Sequence, residues 1–162
     1  MDIIEATFYN DIIRVQELLD SGVDPNFIDR FGQTSLIVAS REGYIDIVRL
    51  LLDNDADTNI RDRYGNTALM DASREGHWDT DIVKLLLDSG ADPNIKDNRG
   101  HTALTIAEDT DRDDIAELLK SYMSRTESQI KKEAKKKLVE YIFANDYENV
   151  EAYMGYFRVW NQ

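Results

Sequence analysis

A block of 33 residues beginning at Asp29, DRFGQTSLIVASREGYIDIVRLLLDNDADTNIR, returns almost intact from Asp62 as DRYGNTALMDASREGHWDTDIVKLLLDSGADPNIK. A third copy opens at Asp97 as DNRGHTALTIAEDTDRDDIAELLK and breaks off. A period of this length constrains the fold before any local propensity does. One such unit cannot bury its own apolar face and must stack on its neighbours. The register is fixed by Gly32, Gly65 and Gly100, at steps of 33 and 35 residues. The same steps join Gly22-Val23-Asp24-Pro25-Asn26 to Asp55-Ala56-Asp57-Thr58-Asn59 and to Gly90-Ala91-Asp92-Pro93-Asn94. In the second unit Leu36 and Ala39 give a slim apolar face, and Ile47, Val48, Leu50, Leu51 and Leu52 a broad one, as two packed helices require.

These phrases resemble the ankyrin repeat, a turn followed by two antiparallel helices. The resemblance rests on DRFGQTSL, DRYGNTAL and DNRGHTAL, on the two SREG segments, and on IVRLLLD, IVKLLLD and IAELLK; it covers roughly Met1 to Lys120. It implies an all-α solenoid of stacked helix pairs with short β-hairpin or turn connections. The units are about 1–28, 29–61, 62–96 and 97–120, and residues 121–162 are expected to form a helical C-terminal cap, with a degenerate fifth unit as a further reading. The family's Thr-Pro-Leu-His stands here as Thr34-Ser35-Leu36-Ile37, Thr67-Ala68-Leu69-Met70 and Thr102-Ala103-Leu104-Thr105, without its Pro and His.

Residues 3–28 read as a first unit lacking its hairpin, with Asp2, Glu5, Tyr9 and Asp11 as the wet side of a cap. Asn10 and Asp111 fall where Gly43 and Gly76 close the first helix of their units, a place that wants left-handed backbone. Six steps separate Gly76 from Ile82 where four separate Gly43 from Ile47, so two residues are inserted around Trp78. The insertion is either a functional loop or a bulge in which Trp78 covers the position of Ile45. Thr110-Asp111-Arg112-Asp113 and Ser124-Arg125-Thr126-Glu127 read as capping boxes, the second opening a separate helix. Beyond it, Lys131, Lys132, Lys135, Lys136 and Lys137 form a solvated face or dock on the acidic stack. The tail segment LVEYIFANDYENVEAYM can be laid on IIEATFYNDIIRVQELL, and Tyr153, Tyr156, Phe157 and Trp160 share one helical face, a cap or else a dimer seam. A monomer is the simpler expectation.

Residues 1–120 hold 12 basic and 26 acidic side chains, net −14, which disfavours nucleic acid and favours a partner protein with a basic patch. Acidity that merely keeps the chain in solution is the plainer alternative. There is no cysteine, which excludes disulfides and leaves the redox compartment unreadable; MDIIEATF has no basic leader and no apolar run is long enough to span a membrane, so a cytoplasmic setting without a membrane is expected. No phosphate loop, HExxH or activated nucleophile is present, so neither an enzyme nor a cofactor is expected. Asp53-x-Asp55-x-Asp57-x-Asn59 and Asp109-x-Asp111-x-Asp113 lack the Gly and distal Glu of a calcium loop, so no metal is expected either. His77 and His101 read as structural or surface residues.

By the resemblance, partners are held on the concave face by hairpin tips and first helices. That means Arg30, Phe31, Gln33, Arg41 and Glu42 in the second unit; Arg63, Tyr64, Asn66, Arg74 and Glu75 in the third; and Asn98, Arg99, His101, Asp109 and Thr110 in the fourth. Trp78 joins them through the insertion. Phe31 and Tyr64 either meet a partner or pack on the neighbouring hairpin. The identical SREG segments favour a ladder of Arg–Glu pairs between repeats over direct contacts. The expected function is non-enzymatic protein binding; an acidic inhibitor or immunity-type protein against a basic enzyme is the alternative.

Overall fold

A computed structural model describes residues 1–74 and 80–143. Among them are eight helices, α1 (Ile3–Phe8), α2 (Ile12–Asp20), α3 (Ser35–Glu42), α4 (Ile45–Asp53), α5 (Ala68–Arg74), α6 (Asp81–Asp88), α7 (Ala103–Asp109) and α8 (Asp113–Phe143). No strand forms among the described residues, so the connections are turns. The contacts divide the chain into Met1–Lys120 and Ser121–Gln162. In the first unit α3 packs against α1 and α5, and α5 against α7, making an inner layer, while α4 joins α2 and α6 in an outer one.

The repeat register is a burial register. Ala6, Ala39, Ala72 and Ala107, one per inner helix, are all buried and small enough for neighbouring helices to approach closely. Ile47, Ile82 and Ile115 recur on the outer helices with Leu51, Leu86 and Leu119, all almost wholly enclosed. Each Leu buried in this way contributes about 1.5–3 kcal/mol. Thr34, Thr67 and Thr102 start their inner helices by accepting the N–H of Ile37, Met70 and Thr105. Where the family's His is missing in the fourth unit, the Thr105 hydroxyl accepts the Thr102 N–H at 2.8 Å and completes a capping box.

Asn10 and Asp111 adopt φ of 55° and 56°, beside 77° at Gly43, so the left-handed corner between the two helices holds even without glycine. The loops leaving the outer helices are tied across units by asparagine. Asn26 accepts the N–H of Asp57, and Asn59 that of Asp92, which explains why the Asp-x-Asn motif repeats.

Two expectations need correction. The α8 helix runs unbroken through Ser124, whose hydroxyl donates back to the Ser121 carbonyl, so no helix starts there. No Gly or Pro interrupts residues 113–124, and a capping box has nothing to cap while the preceding chain stays helical. Thr110 does not cap α8 either, because its hydroxyl donates back to the Ile106 carbonyl of α7. In the first unit Asp2, Glu5, Tyr9 and Asp11 are exposed, as its wet side requires, and Asp2 and Asp11 cap α1 and α2. Phe8, Ile13 and Ile28 stand more than half exposed beside them. The inserted loop with Glu75, His77 and Trp78, and the aromatic residues of 144–162, lie outside the described residues.

Candidate functional site

Each hairpin is built on its first aspartate. Oδ1 of Asp29 accepts the backbone N–H of Phe31 and Gln33; Asp62 does the same for Tyr64 and Asn66, and Asp97 for Arg99 and His101. The carboxylate replaces the strand pairing that so short a turn cannot supply. Backbone bonds Asp29–Gln33, Asp62–Asn66 and Asp97–His101 close the base of each tip. Successive tips are joined where Arg63 N–H donates to the Phe31 carbonyl and Asn98 N–H to the Tyr64 carbonyl, both at 3.0 Å. The Arg61 guanidinium adds a second tie, donating to the Gly65 and Lys96 carbonyls.

This framework lines up the predicted side chains. The Arg30 guanidinium lies 4.7 Å from the Phe31 ring centre, and that of Arg63 lies 4.6 Å from both Phe31 and Tyr64. Arg63 also donates to the Tyr64 hydroxyl. Cation and ring therefore alternate along the tips as Arg30, Phe31, Arg63, Tyr64. Each such contact contributes about 0.5–1 kcal/mol at an exposed position. Phe31 is half-buried by packing on the next hairpin, whereas Tyr64 remains 57% exposed. Of the two sequence readings, packing describes Phe31, and Tyr64 stays open.

The grooves between tips differ for a local reason. The groove between the second and third, lined by Phe31, Gln33, Asp62, Arg63 and Tyr64, has a volume of about 170 Å³. The groove between the third and fourth holds about 380 Å³, lined by Tyr64, Asn66, Arg74, Asn98, Arg99, His101, Ile106, Asp109 and Thr110, with Asp97 at its base. Asn98 stands in the register of Arg30 and Arg63. Its short amide donates to the Arg63 carbonyl at 3.0 Å and reaches no ring.

Below the tips the described residues link adjacent units through an aspartate, while Glu75, one of the two acids of the expected Arg–Glu ladder, lies outside them. Arg41 does contact Glu42, at 3.4 Å, but that pair lies within one unit. The link between units runs through Asp71, which is only 2% exposed: Arg74 Nη1 approaches its Oδ1 at 3.0 Å and Arg41 Nη1 its Oδ2 at 3.6 Å. Arg74 further donates to the Asn66 side chain at 3.2 Å. The arginines of the two SREG segments thus serve one carboxylate from adjacent units. Asp71 itself was missed from the sequence, although an acid in the register of buried Val38 and Ile106 is a readable signal. Glu75 lies outside the described residues.

In the fourth hairpin burial opposes the charge on Asp97. The backbone N–H groups of His101 and Arg99, with the His101 imidazole at 3.1 Å, outweigh it and hold the carboxyl below the ordinary aspartate range. Among the described residues no three His, Asp or Glu side chains converge as metal ligands would, and no helix is long and apolar enough to cross a membrane. The arrangement offers planar stacking surfaces, guanidiniums and amides, the chemistry of recognition.

A family model described as ankyrin repeats, in three copies, matches residues 3–97. No curated protein shows significant similarity to the chain.

Proposed function

Because the chain belongs to the ankyrin-repeat family, whose repeats serve as protein–protein interaction modules, we propose that it is a non-enzymatic, monomeric binding module. It captures a partner protein along the concave row of hairpin tips and inner helices. The single observation that carries this reading is the continuous Arg30–Phe31–Arg63–Tyr64 stack on exposed turns, ending in an open ring. Rigid aromatics and arginines present large contact area at little entropic cost, which is why they dominate binding hot spots. Gln33, Asn66, Arg99 and His101 flank the row, and Arg41 and Arg74 underlie it with Glu42. Replacing Phe31 and Tyr64 together with Ala should weaken partner capture at least about thirtyfold, the scale of a hot-spot loss. Far-UV circular dichroism should retain the helical signal. Undiminished capture by the double variant would refute the proposal.

The charge supports a second reading, an acidic inhibitor that neutralises a basic partner enzyme. Residues 1–120 carry net −14, and Asp46, Asp53, Asp55, Asp57, Asp88 and Asp92 are exposed on the outer helices and their loops. Such binding falls steeply between about 50 and 300 mM salt, as the screening length shortens. Affinity that is insensitive to salt would eliminate it.

A further inference from the structure

Cation and ring alternate at 4.6–4.7 Å from Arg30 to Tyr64, and there the chain's own supply of cations ends. The next place in the register is Asn98, which is too short to reach the ring and is drawn onto the Arg63 carbonyl. Tyr64 is left 57% exposed beside the 380 Å³ groove. Asp109, which lines the groove, is exposed and meets no basic side chain among the described residues. Asp97 and the largely buried Ile106 also line it. Arg74 is already engaged by Asp71 and Asn66. Arg99 occupies the register of the rings, not of the stacked guanidiniums.

We propose that this groove seats an arginine side chain of the partner protein, its guanidinium continuing the stack over Tyr64 and its N–H groups donating to Asp109. The inference rests on the hairpin row being the interaction face, and it names the chemistry that the row selects. Guanidinium suits the place better than ammonium because its flat face stacks while its edge still donates two parallel hydrogen bonds to a carboxylate. The net −14 over residues 1–120 draws a cation toward the surface, and the stack fixes where it lodges.

The full chain, isotopically labelled, is titrated with N-acetyl-arginine amide and, separately, with its uncharged isostere N-acetyl-citrulline amide, followed by NMR. The arginine derivative should shift Tyr64, Asn98 and Ile106 saturably, and the citrulline derivative should bind at least about fivefold more weakly, as loss of a cation–π contact requires. Tyr64→Ala should abolish the shifts. Asn98→Arg should abolish them too, by placing the chain's own guanidinium over Tyr64, and its thermal midpoint should not fall. Equal binding of both derivatives, no shift at Tyr64, or binding undisturbed by Asn98→Arg would each overturn the proposal. If the arginine derivative leaves Tyr64 unmoved while Phe31/Tyr64 replacement still destroys partner capture, the interaction face stands and only the cation assignment falls. If capture survives that replacement, the face itself was misassigned.

Discussion

Gly65 and Gly100 occupy the same turn position in successive hairpins, at φ of +83° and +90°, yet their surroundings are opposite. An added Cβ on Gly100 would meet nothing within 4 Å, whereas on Gly65 it would stand 2.8 Å from the Asn98 backbone N and 2.7 Å from its Oδ1. Both Gly→Ala variants incur the left-handed penalty of a side chain, roughly 1–2 kcal/mol. At Gly65 the fourth hairpin must also move away from the third. That loosens the Asn98 N–H bond to Tyr64 and the Arg61 bond to Asn98, each contributing about 0.5–1.5 kcal/mol. Gly100→Ala should therefore lose about 1–2 kcal/mol and Gly65→Ala about 2–5 kcal/mol. Urea unfolding of the full chain, followed by far-UV circular dichroism, measures both on one scale. Because the backbone penalty is common to the pair, their difference isolates the contact between hairpins. Losses agreeing within about 0.5 kcal/mol, the usual scatter of neutral surface changes, would show that hairpin spacing does not support the fold.

Two further tests probe the acids beneath the tips. Asp97 has a folded-state pKa below its unfolded value, so its stabilisation is present above about pH 4 and lost as pH falls through the lowered value. Urea midpoints should show Asp97→Asn less stable than the parent at neutral pH, with the gap closing as pH falls through and below the ordinary aspartate range; a gap independent of pH would contradict the assignment. Asp71→Val removes the shared acceptor of Arg41 and Arg74, so urea unfolding should show a loss of about 1–3 kcal/mol, less than for a fully buried pair because both arginines can turn to water. Partner binding should drop as well, since Arg41 and Arg74 lose their common anchor; stability within about 0.5 kcal/mol of the parent would show that the cluster does not hold adjacent units together.

The fold was legible because the period and the burial register coincide. Ala39 predicts Ala6, Ala72 and Ala107, and Ile47 predicts Ile82 and Ile115, from spacing alone. The left-handed corners at Asn10 and Asp111 were readable for the same reason, since alignment with Gly43 supplies the backbone demand. Side-chain partnership was not. That Arg41 reaches Asp71 of the next unit as well as its neighbour Glu42 depends on the offset between adjacent helices, which a one-dimensional register does not contain. The continuity of α8 was misread because a capping box is a local pattern, and helix propagation from Asp113 overrides it where no breaker intervenes.

Identity between repeats marks the scaffold, and divergence between repeats marks the ligand. The arginine of SREG is the same in both complete units because the two converge on one buried aspartate, a demand set by the stack itself. The tips carry no such demand beyond the aspartate that holds the turn and the glycine that follows. There the pairs read Arg30–Phe31, Arg63–Tyr64 and Asn98–Arg99, and the grooves between them change from about 170 to about 380 Å³. A partner laid along a uniform row would find several equivalent registers, as a slipped strand does when its faces are alike. Exchange of arginine for asparagine at residue 98 breaks that equivalence at one junction. Restoring it with Asn98→Arg should therefore remove the one place that sets the partner's register, even where the rest of the row still makes contact.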